Sequence, residues 1–322
     1  MKKIAILTSG GDSSTMNKCL STFVSFAKDY DCEIEFILNG YKGLYNNEFI
    51  KPDLNETKSW WDLPGTKICS SRFPEILDEK IREKMVKNLK DRHIEYLVVI
   101  GGDGSYKGAN LLSKSGVKVF GLPGTIDNDI SSTTYSIGFD TSLNVVVDAI
   151  KKIKSCMNSH ATIGMVEIMG RHCIDLTVFA GIATEADIVI TPESHYTPEQ
   201  LLQKINEKRK TLNKGLMILY VENYLGTEGI PTVKEYINYI QTNSKELVKN
   251  NVLGYMQRDG FPTAMDLTRA SMMTIEVLEL ISKNQFNKII GVDEFKVVNY
   301  DLDVALNMKN PSRKELIQKF FR

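Results

Sequence analysis

An α/β architecture with parallel-rich sheets is what this sequence predicts, and three observations carry the expectation. Short apolar, β-branched runs recur along the chain, each followed by a turn and then a stretch of helical periodicity. Glycines and carboxylates gather in the turns that follow these runs rather than within them. At 322 residues the chain suits one large α/β unit or two domains of ordinary size. Runs alternating with helical stretches favour parallel sheets with helices on both faces, and ligands in such sheets sit at the carboxyl ends of the strands.

Taken in order, KIAILT at 3–8 leads into SGGD, EIEFIL at 33–38 into NGYKGLY, YLVVI at 96–100 into GGDGS, and VKVFGL at 117–122 into PGTIDND. ATIGMVEI at 161–168, ADIVI at 186–190, GLMILYVE at 215–222 and NKIIGV at 287–292 read as further strands. TSLNVVVDAIKKIKSC, 141–156, reads as a long helix on which Lys151, Lys152 and Lys154 form a solvated face. There is no low-complexity linker and no tandem repeat of fixed period.

Composition narrows the partners. Forty basic and forty acidic side chains cancel, so no global field draws the chain to nucleic acid or to an anionic membrane. Charge that binds phosphate must then be local. Five cysteines, an odd number without a CxxC pair, point to free thiols in a reducing cytosol. The apolar run at the N-terminus is only four residues long, and no segment approaches the roughly 20 apolar residues of a membrane span. The expectation is a soluble, cytoplasmic protein. The four histidines have no metal-like spacing.

The chemistry lies in the turns. GGDGS, between a strand and a helix, is a phosphate-loop candidate, because glycines let backbone approach an anion and the helix offers its first N–H groups. The spacing of Gly102, Gly104 and Gly108 is GxGxxxG, not the dinucleotide fingerprint, and GxxxxGK[ST] is absent. Asp103 beside phosphates makes sense where Mg²⁺ bridges them, although a Gly-Asp pair alone is equally a simple turn. Gly10 and Gly11 end the first strand and offer a second grip. Asp127 and Asp129 stand two residues apart and repel unless a cation or a hydroxyl lies between them. Alone they describe a solvated loop. Beside two phosphate loops they supply a carboxylate to take a hydroxyl proton, with Arg72 and Arg171 as candidates to neutralise a moving phosphoryl group.

A family carries these pieces in this order. LTSGGD at 7–12, NGYKGLY at 39–45, SSRFPE at 70–75, VVIGGDGSYKGA at 98–109 and GLPGTIDNDI at 121–130 resemble the bacterial ATP-dependent 6-phosphofructokinases. SIGFDTSLNVVVDAI at 136–150, VEIMGRHCIDLT at 166–177, Glu222 and VLGYMQRDGFPTAMD at 252–266 extend the resemblance over essentially the whole chain. It implies two three-layer αβα domains. Residues 1–138 with approximately 257–307 would bind nucleotide, and 139–256 with approximately 308–322 the sugar phosphate. It further implies ATP and Mg²⁺, fructose 6-phosphate or a related sugar phosphate, and a homo-oligomer, tetramer or dimer. By the same resemblance Asp127 is the base for the sugar's 1-hydroxyl, Thr125 and Asp129 fix its geometry, and Asp103 and Asp129 face the metal. Gly11 and Arg72 address the γ-phosphate, with Arg171 helping in the transition state. Tyr41, Phe73, Gly102, Gly104, Ser105 and Gly108 line the nucleotide site. Met169, Gly170, Glu222, Lys249, Tyr255 and Arg258 hold the sugar phosphate. Gly104 and Gly124 speak for ATP, since pyrophosphate-dependent relatives carry Asp and Lys there.

The chain departs from the family pattern at two sites and one loop. Thr162, Lys249 and Tyr255 replace two arginines and a histidine that grip the 6-phosphate, the first arginine donated across a subunit interface. Ser21, Ser25, Leu54, Thr211, Asn213 and Asp187 replace effector-site residues, leaving Lys154 and Lys214, so little allosteric control is expected. Ser13, Ser14 and Thr15 follow GGD where a small residue, proline and glycine are usual, and Thr15 cannot take positive φ as glycine does, which predicts a reshaped loop. Two further readings stay open: a family kinase with another acceptor, and a weakly catalytic nucleotide-binding paralogue.

Overall fold

The computed structural model describes residues 1–212 and 214–321; the effector-site position Asn213 and the terminal Arg322 lie outside them. Eleven strands occur among the described residues: β1 (Lys2–Ser9), β2 (Cys32–Ile37), β3 (Phe49–Ile50), β4 (Tyr96–Gly101), β5 (Lys118–Pro123), β6 (Ile163–Ile168), β7 (Ile188–Ile190), β8 (Leu216–Val221), β9 (Val248–Val252), β10 (Lys288–Asp293) and β11 (Lys296–Asp301). The chain divides into two compact units, residues 1–141 with 258–310, and 142–257 with the C-terminal segment from Pro311.

The first unit holds a seven-stranded sheet in the order β11-β10-β5-β4-β1-β2-β3. Its centre is parallel, and antiparallel strands close both edges. Because strand side chains alternate in direction, one apolar run feeds two cores. Ile4, Ile6, Val98 and Ile100 pack with Leu20, Phe23, Met273 and Val277 of the helices Met16–Phe26 and Ala264–Ser282. Ala5, Leu7, Leu97 and Val99 pack on the other face with Leu44, Met85, Tyr106 and Leu112 of three further helices. That is a three-layer αβα arrangement.

The second unit holds a four-stranded parallel sheet in the order β7-β8-β6-β9. Ile163, Met165, Ile218 and Tyr220 face Leu201, Ile205, Tyr236 and Ile240 of the helices Pro198–Arg209 and Val233–Asn243. Each of these helices starts with a capping box, Thr197 with Gln200 and Thr232 with Glu235. On the helix Asp175–Thr184, a Cβ at Gly181 would come within 2.9 Å of Val189 and 2.8 Å of Phe321, so glycine sets the spacing there.

All eight runs read as strands from the sequence are strands, and the expected 141–156 helix extends over Phe139–His160. Three strands were not foreseen: β3, only two residues long; β9, a polar edge strand; and β11, an antiparallel edge strand after the turn at Phe295. Edge strands lack the continuous apolar run that marks a strand buried on both faces. Thr15 stays out of positive φ, as its β-branched side chain requires. Its φ is −113° and it simply precedes the helix Met16–Phe26, while Gly10, at φ +88°, takes the turn.

Candidate active site

Sheet register places the loops of the first unit. β5, β4 and β1 are adjacent and parallel, with Ser9 opposite Gly101 and Gly101 opposite Pro123. The loops beginning at Gly10, Gly102 and Gly124 therefore leave the sheet side by side at one level. Gly101 is required where they pack, because a Cβ there would lie 2.5 Å from both the Ser9 carbonyl and Ser105 Oγ. Ser105 Oγ instead donates to the Ser9 carbonyl at 3.1 Å.

Asp103 opens the helix Asp103–Lys114, its carboxylate 2.6 Å from Lys107 Nζ one turn on. A carboxylate at this end of a helix is stabilised by the peptide dipoles. A Cβ at Gly104 would meet nothing within 4 Å, whereas one at Gly108 would press on Ile76 at 2.9 Å and the Tyr41 ring at 3.0 Å. Tyr41 is only 2% exposed and donates its hydroxyl to the Ser105 carbonyl at 2.6 Å, so it braces the loop from below. Burial pushes its phenol above the ordinary range. Phe73 is half-buried against Tyr45, ring centroids 5.8 Å apart, and Arg72 before it is exposed. Ser70 Oγ donates to the Gly10 carbonyl at 2.8 Å and Ser71 Oγ to the Asn39 carbonyl at 2.6 Å, which ties the Arg72 segment beside the first glycine loop.

The segment 124–137 is folded on itself by side chains. Asn128, left-handed at φ +55°, accepts from Ser136 N at 2.9 Å and donates to the Thr134 carbonyl at 3.2 Å. Ser136 Oγ donates to the Thr125 carbonyl at 2.7 Å, and Thr125 Oγ1 accepts from Asp127 N at 3.2 Å. Asn128 thus makes the turn that separates Asp127 from Asp129, and Asp127 is held at 8% exposure. Asn310 Nδ2 holds the Asp129 carbonyl at 3.1 Å. Arg258 lies over the first glycine loop, Nη1 donating to the Asp12 carbonyl at 3.2 Å, and a Cβ on Gly11 would come within 2.5 Å of that nitrogen.

In the second unit β6 and β8 are paired with Ile168 opposite Val221, so Met169 and Glu222 emerge together. Glu222 Oε1 accepts from Gly170 N at 3.2 Å and Arg171 N at 2.9 Å. Beneath it, burial holds the Glu167 carboxyl above the carboxylate range, opposed by a bond from Tyr220 and aided by the charge of Glu222. Lys249 is not brought to this end. It pairs with Gly164, five residues before Met169, roughly 16 Å along the strand. Thr162 precedes β6, buried, its hydroxyl donating to Met157 Sδ at 3.2 Å. Tyr255, 83% exposed, lies in the 3-10 turn Gly254–Arg258. Within the unit, then, Lys249 and Thr162 stand apart from Met169, Gly170, Arg171 and Glu222. The pleat length of a strand is the reason.

Sequence reading missed the residues that hold these loops, among them Asn128, Ser136, Ser70, Ser71 and Gln257. The signal available was faint: an Asn between two aspartates is a residue suited to a left-handed turn.

Comparison with known proteins gives these loops a context. The phosphofructokinase family model matches residues 3–281. The probable ATP-dependent 6-phosphofructokinase of Malacoplasma penetrans is 75% identical over 321 residues, 100% of both chains. ATP-dependent 6-phosphofructokinase 1 of Clostridium perfringens is 40% identical over 318 residues, covering 99% of this chain and 98% of its own. Among solved structures, phosphofructokinase from Saccharomyces cerevisiae superposes with a TM-score of 0.89 at 26% identity, over 99% of this chain and 50% of that one. The pyrophosphate-dependent phosphofructokinase of Nitrosospira multiformis, 17% identical, has a TM-score of 0.88 over 99% of this chain and 92% of its own, a likeness of fold alone.

Proposed function

Because the chain belongs to the phosphofructokinase family, we propose that it is an ATP-dependent 6-phosphofructokinase, moving the γ-phosphoryl group of ATP to the 1-hydroxyl of fructose 6-phosphate. The products are ADP and fructose 1,6-bisphosphate. The observation that carries the reading is the alignment of the Gly10, Gly102 and Gly124 loops on adjacent strands, with Asp127 in the third.

Asp127 takes the proton of the attacking hydroxyl, a role worth roughly 10²–10⁴ in rate. Thr125 and Asn128 hold the turn that presents it. Gly10, Gly11 and the first turn of the helix Asp103–Lys114 offer backbone N–H groups to the polyphosphate. Arg72 and Arg171 answer the charge on the phosphoryl group. Asp103 and Asp129 supply hard carboxylate oxygens suited to Mg²⁺, which when bound would neutralise phosphate charge. No group of three or more metal-ligating side chains occurs among the described residues, and a Mg²⁺ ion held by one or two carboxylates, waters and phosphates needs none. Choice of ATP is supported by Gly104, where backbone stays open, and by Gly124, where a Cβ would meet Ile100 at 2.9 Å and Met16 at 3.0 Å.

Met169, Gly170, Glu222, Tyr255 and Arg258 receive the sugar phosphate in this proposal, with Lys249 serving a second copy of the chain in a homo-oligomer. A cytoplasmic setting agrees with the substrates, and no described helix is long and apolar enough to cross a membrane. The buried Thr162 hydroxyl, spent on Met157, supports a weaker 6-phosphate grip than an arginine gives, and so a high KM or another acceptor.

A coupled ADP-release assay with MgATP tests the reading, comparing fructose 6-phosphate with fructose and other sugar phosphates. Preference for fructose 6-phosphate supports it. Turnover with another acceptor only would reassign the substrate, and ATP binding without turnover on any acceptor would favour a regulatory paralogue.

A further inference from the structure

The three backbone N–H groups that follow β6 are all taken by side-chain oxygens rather than by a strand. Gln257 Oε1 accepts from Met169 N at 3.0 Å, and Glu222 Oε1 accepts from Gly170 N and Arg171 N. The turn they make is one a chain does not hold unaided. Arg171 is left-handed at φ +55°, which a Cβ disfavours, and persists only where its surroundings over-determine it. Gly170 sits at φ +148°, and a Cβ there would lie 2.3 Å from the Cys173 carbonyl.

Gln257 is 1% exposed, and its amide is used at both ends. While Oε1 accepts from Met169, Nε2 donates to the Gly254 carbonyl at 3.1 Å, at the start of the 3-10 turn whose last residue is Arg258. An amide alone accepts and donates at this reach. Glutamate only accepts, leucine does neither, and asparagine is one methylene short. At 1% exposure the amide is enclosed by protein, so it acts on a substrate only through the turns it holds.

We propose that Gln257 is a positioning residue for the sugar phosphate: it sets the Met169–Arg171 turn and ties it to the chain at Gly254. The assignment rests on the kinase reading above. It makes acceptor binding depend on a side chain that never meets the acceptor, and neither bond of the Gln257 side chain goes to a glycine loop of the first unit.

Steady-state kinetics of Gln257→Leu and Gln257→Glu, varying fructose 6-phosphate and MgATP separately, decide the matter. Leucine removes two hydrogen bonds, so its KM for fructose 6-phosphate should rise roughly 10- to 100-fold, with the KM for MgATP within about twofold of the parent. Glutamate keeps the bond from Met169 and should show the same selectivity at roughly 3- to 10-fold, which serves if the leucine variant does not fold. An unchanged KM for fructose 6-phosphate overturns the assignment. So does a rise in both KM values together with a lowered Tm, the mark of a merely structural residue. A parent protein inactive on fructose 6-phosphate overturns the kinase reading as well, whereas an active parent beside an unselective variant strikes Gln257 alone.

Discussion

Asp266 caps a helix other than its own: its Oδ2 accepts the backbone N–H of Thr141 at 2.8 Å and the Thr141 hydroxyl at 2.7 Å. Thr141 lies in the first turn of Phe139–His160, and Asp266 in the first turn of Ala264–Ser282. The exchange is reciprocal, since Thr263, the N-cap of the second helix, donates its hydroxyl to Asp140 at 2.6 Å and its N–H to Thr141 Oγ1 at 3.1 Å. Two sets of orphan helix N–H groups are thus satisfied in one buried place.

That burial has a titration consequence. Asp266 is fully buried, and burial is the chief cause that raises its carboxyl from the ordinary 3.8 to about 6, with Asp140 adding to the rise and the Thr141 bonds opposing it. Between about pH 4 and 6 the folded chain holds a proton that the unfolded chain has released. Stability from this group therefore falls as pH rises through that window, by about 3 kcal/mol in full, and is level above it. Asp266→Asn accepts the same bonds without a charge. Urea unfolding from pH 4 to 7 should show the parent losing stability relative to the variant, and parallel profiles would mean that the carboxylate is ionised throughout.

Asp127→Asn should separate chemistry from binding. The amide keeps the shape of the turn that Thr125 and Asn128 brace, so MgATP affinity by calorimetry should stay within about twofold. Turnover should fall by roughly 10²–10⁴ with loss of the base. Near-parental turnover would remove Asp127 from that role.

Gly104 and Gly108 make a contrast within one helix. A side chain at Gly104 enters open space, so Gly104→Asp should leave unfolding free energy within about 0.5 kcal/mol of the parent. It would set a second carboxylate beside Asp103 where phosphates are proposed to lie, and the KM for MgATP should rise at least about tenfold through like-charge repulsion. Gly108→Ala should do the reverse, lowering stability by up to about 2 kcal/mol as crowding of the Tyr41 ring outweighs the roughly 1 kcal/mol that alanine gains over glycine within a helix. A Gly104→Asp variant with parental KM would argue that nucleotide lies elsewhere.

What the sequence made legible divides along physical lines. β1, β4, β5 and β8 are buried on both faces, so their apolar runs announce them, and the glycines at their ends announce the loops. β9, Val-Lys-Asn-Asn-Val, is an edge strand whose partner on one side decides its conformation, and no local pattern records that. The same limit hid Gln257, whose two partners, Met169 and Gly254, give its own neighbourhood no periodic mark. Thr15 was legible in its own backbone: a β-branched residue avoids positive φ, and the chain meets that position at −113°. Residue types report burial and turn geometry well, and report long-range hydrogen bonding hardly at all.

Insensitivity to nucleotide and carboxylate-phosphate effectors is the last expectation, and here the structure supplies a cause beyond the effector-site replacements. Lys154 Nζ donates to the carbonyls of Thr184 at 2.9 Å and Glu185 at 3.0 Å, at the C-terminus of the helix Asp175–Thr184, where a cation also meets the negative end of the dipole. Asp187 Oδ2 accepts Met217 N at 2.7 Å. Both groups are occupied in holding this unit together, and a phosphate or a metal would have to displace those bonds to use them. Adding ADP or phosphoenolpyruvate to millimolar concentration should therefore leave the half-saturating fructose 6-phosphate concentration within about twofold, allowing for product inhibition by ADP at the nucleotide site. Lys154→Ala should cost about 1–2 kcal/mol of stability through the uncapped carbonyls while leaving that response where it was. A saturable effector response in the micromolar range that disappears in Lys154→Ala would show the lysine binding ligand instead, with the helix end as its resting place.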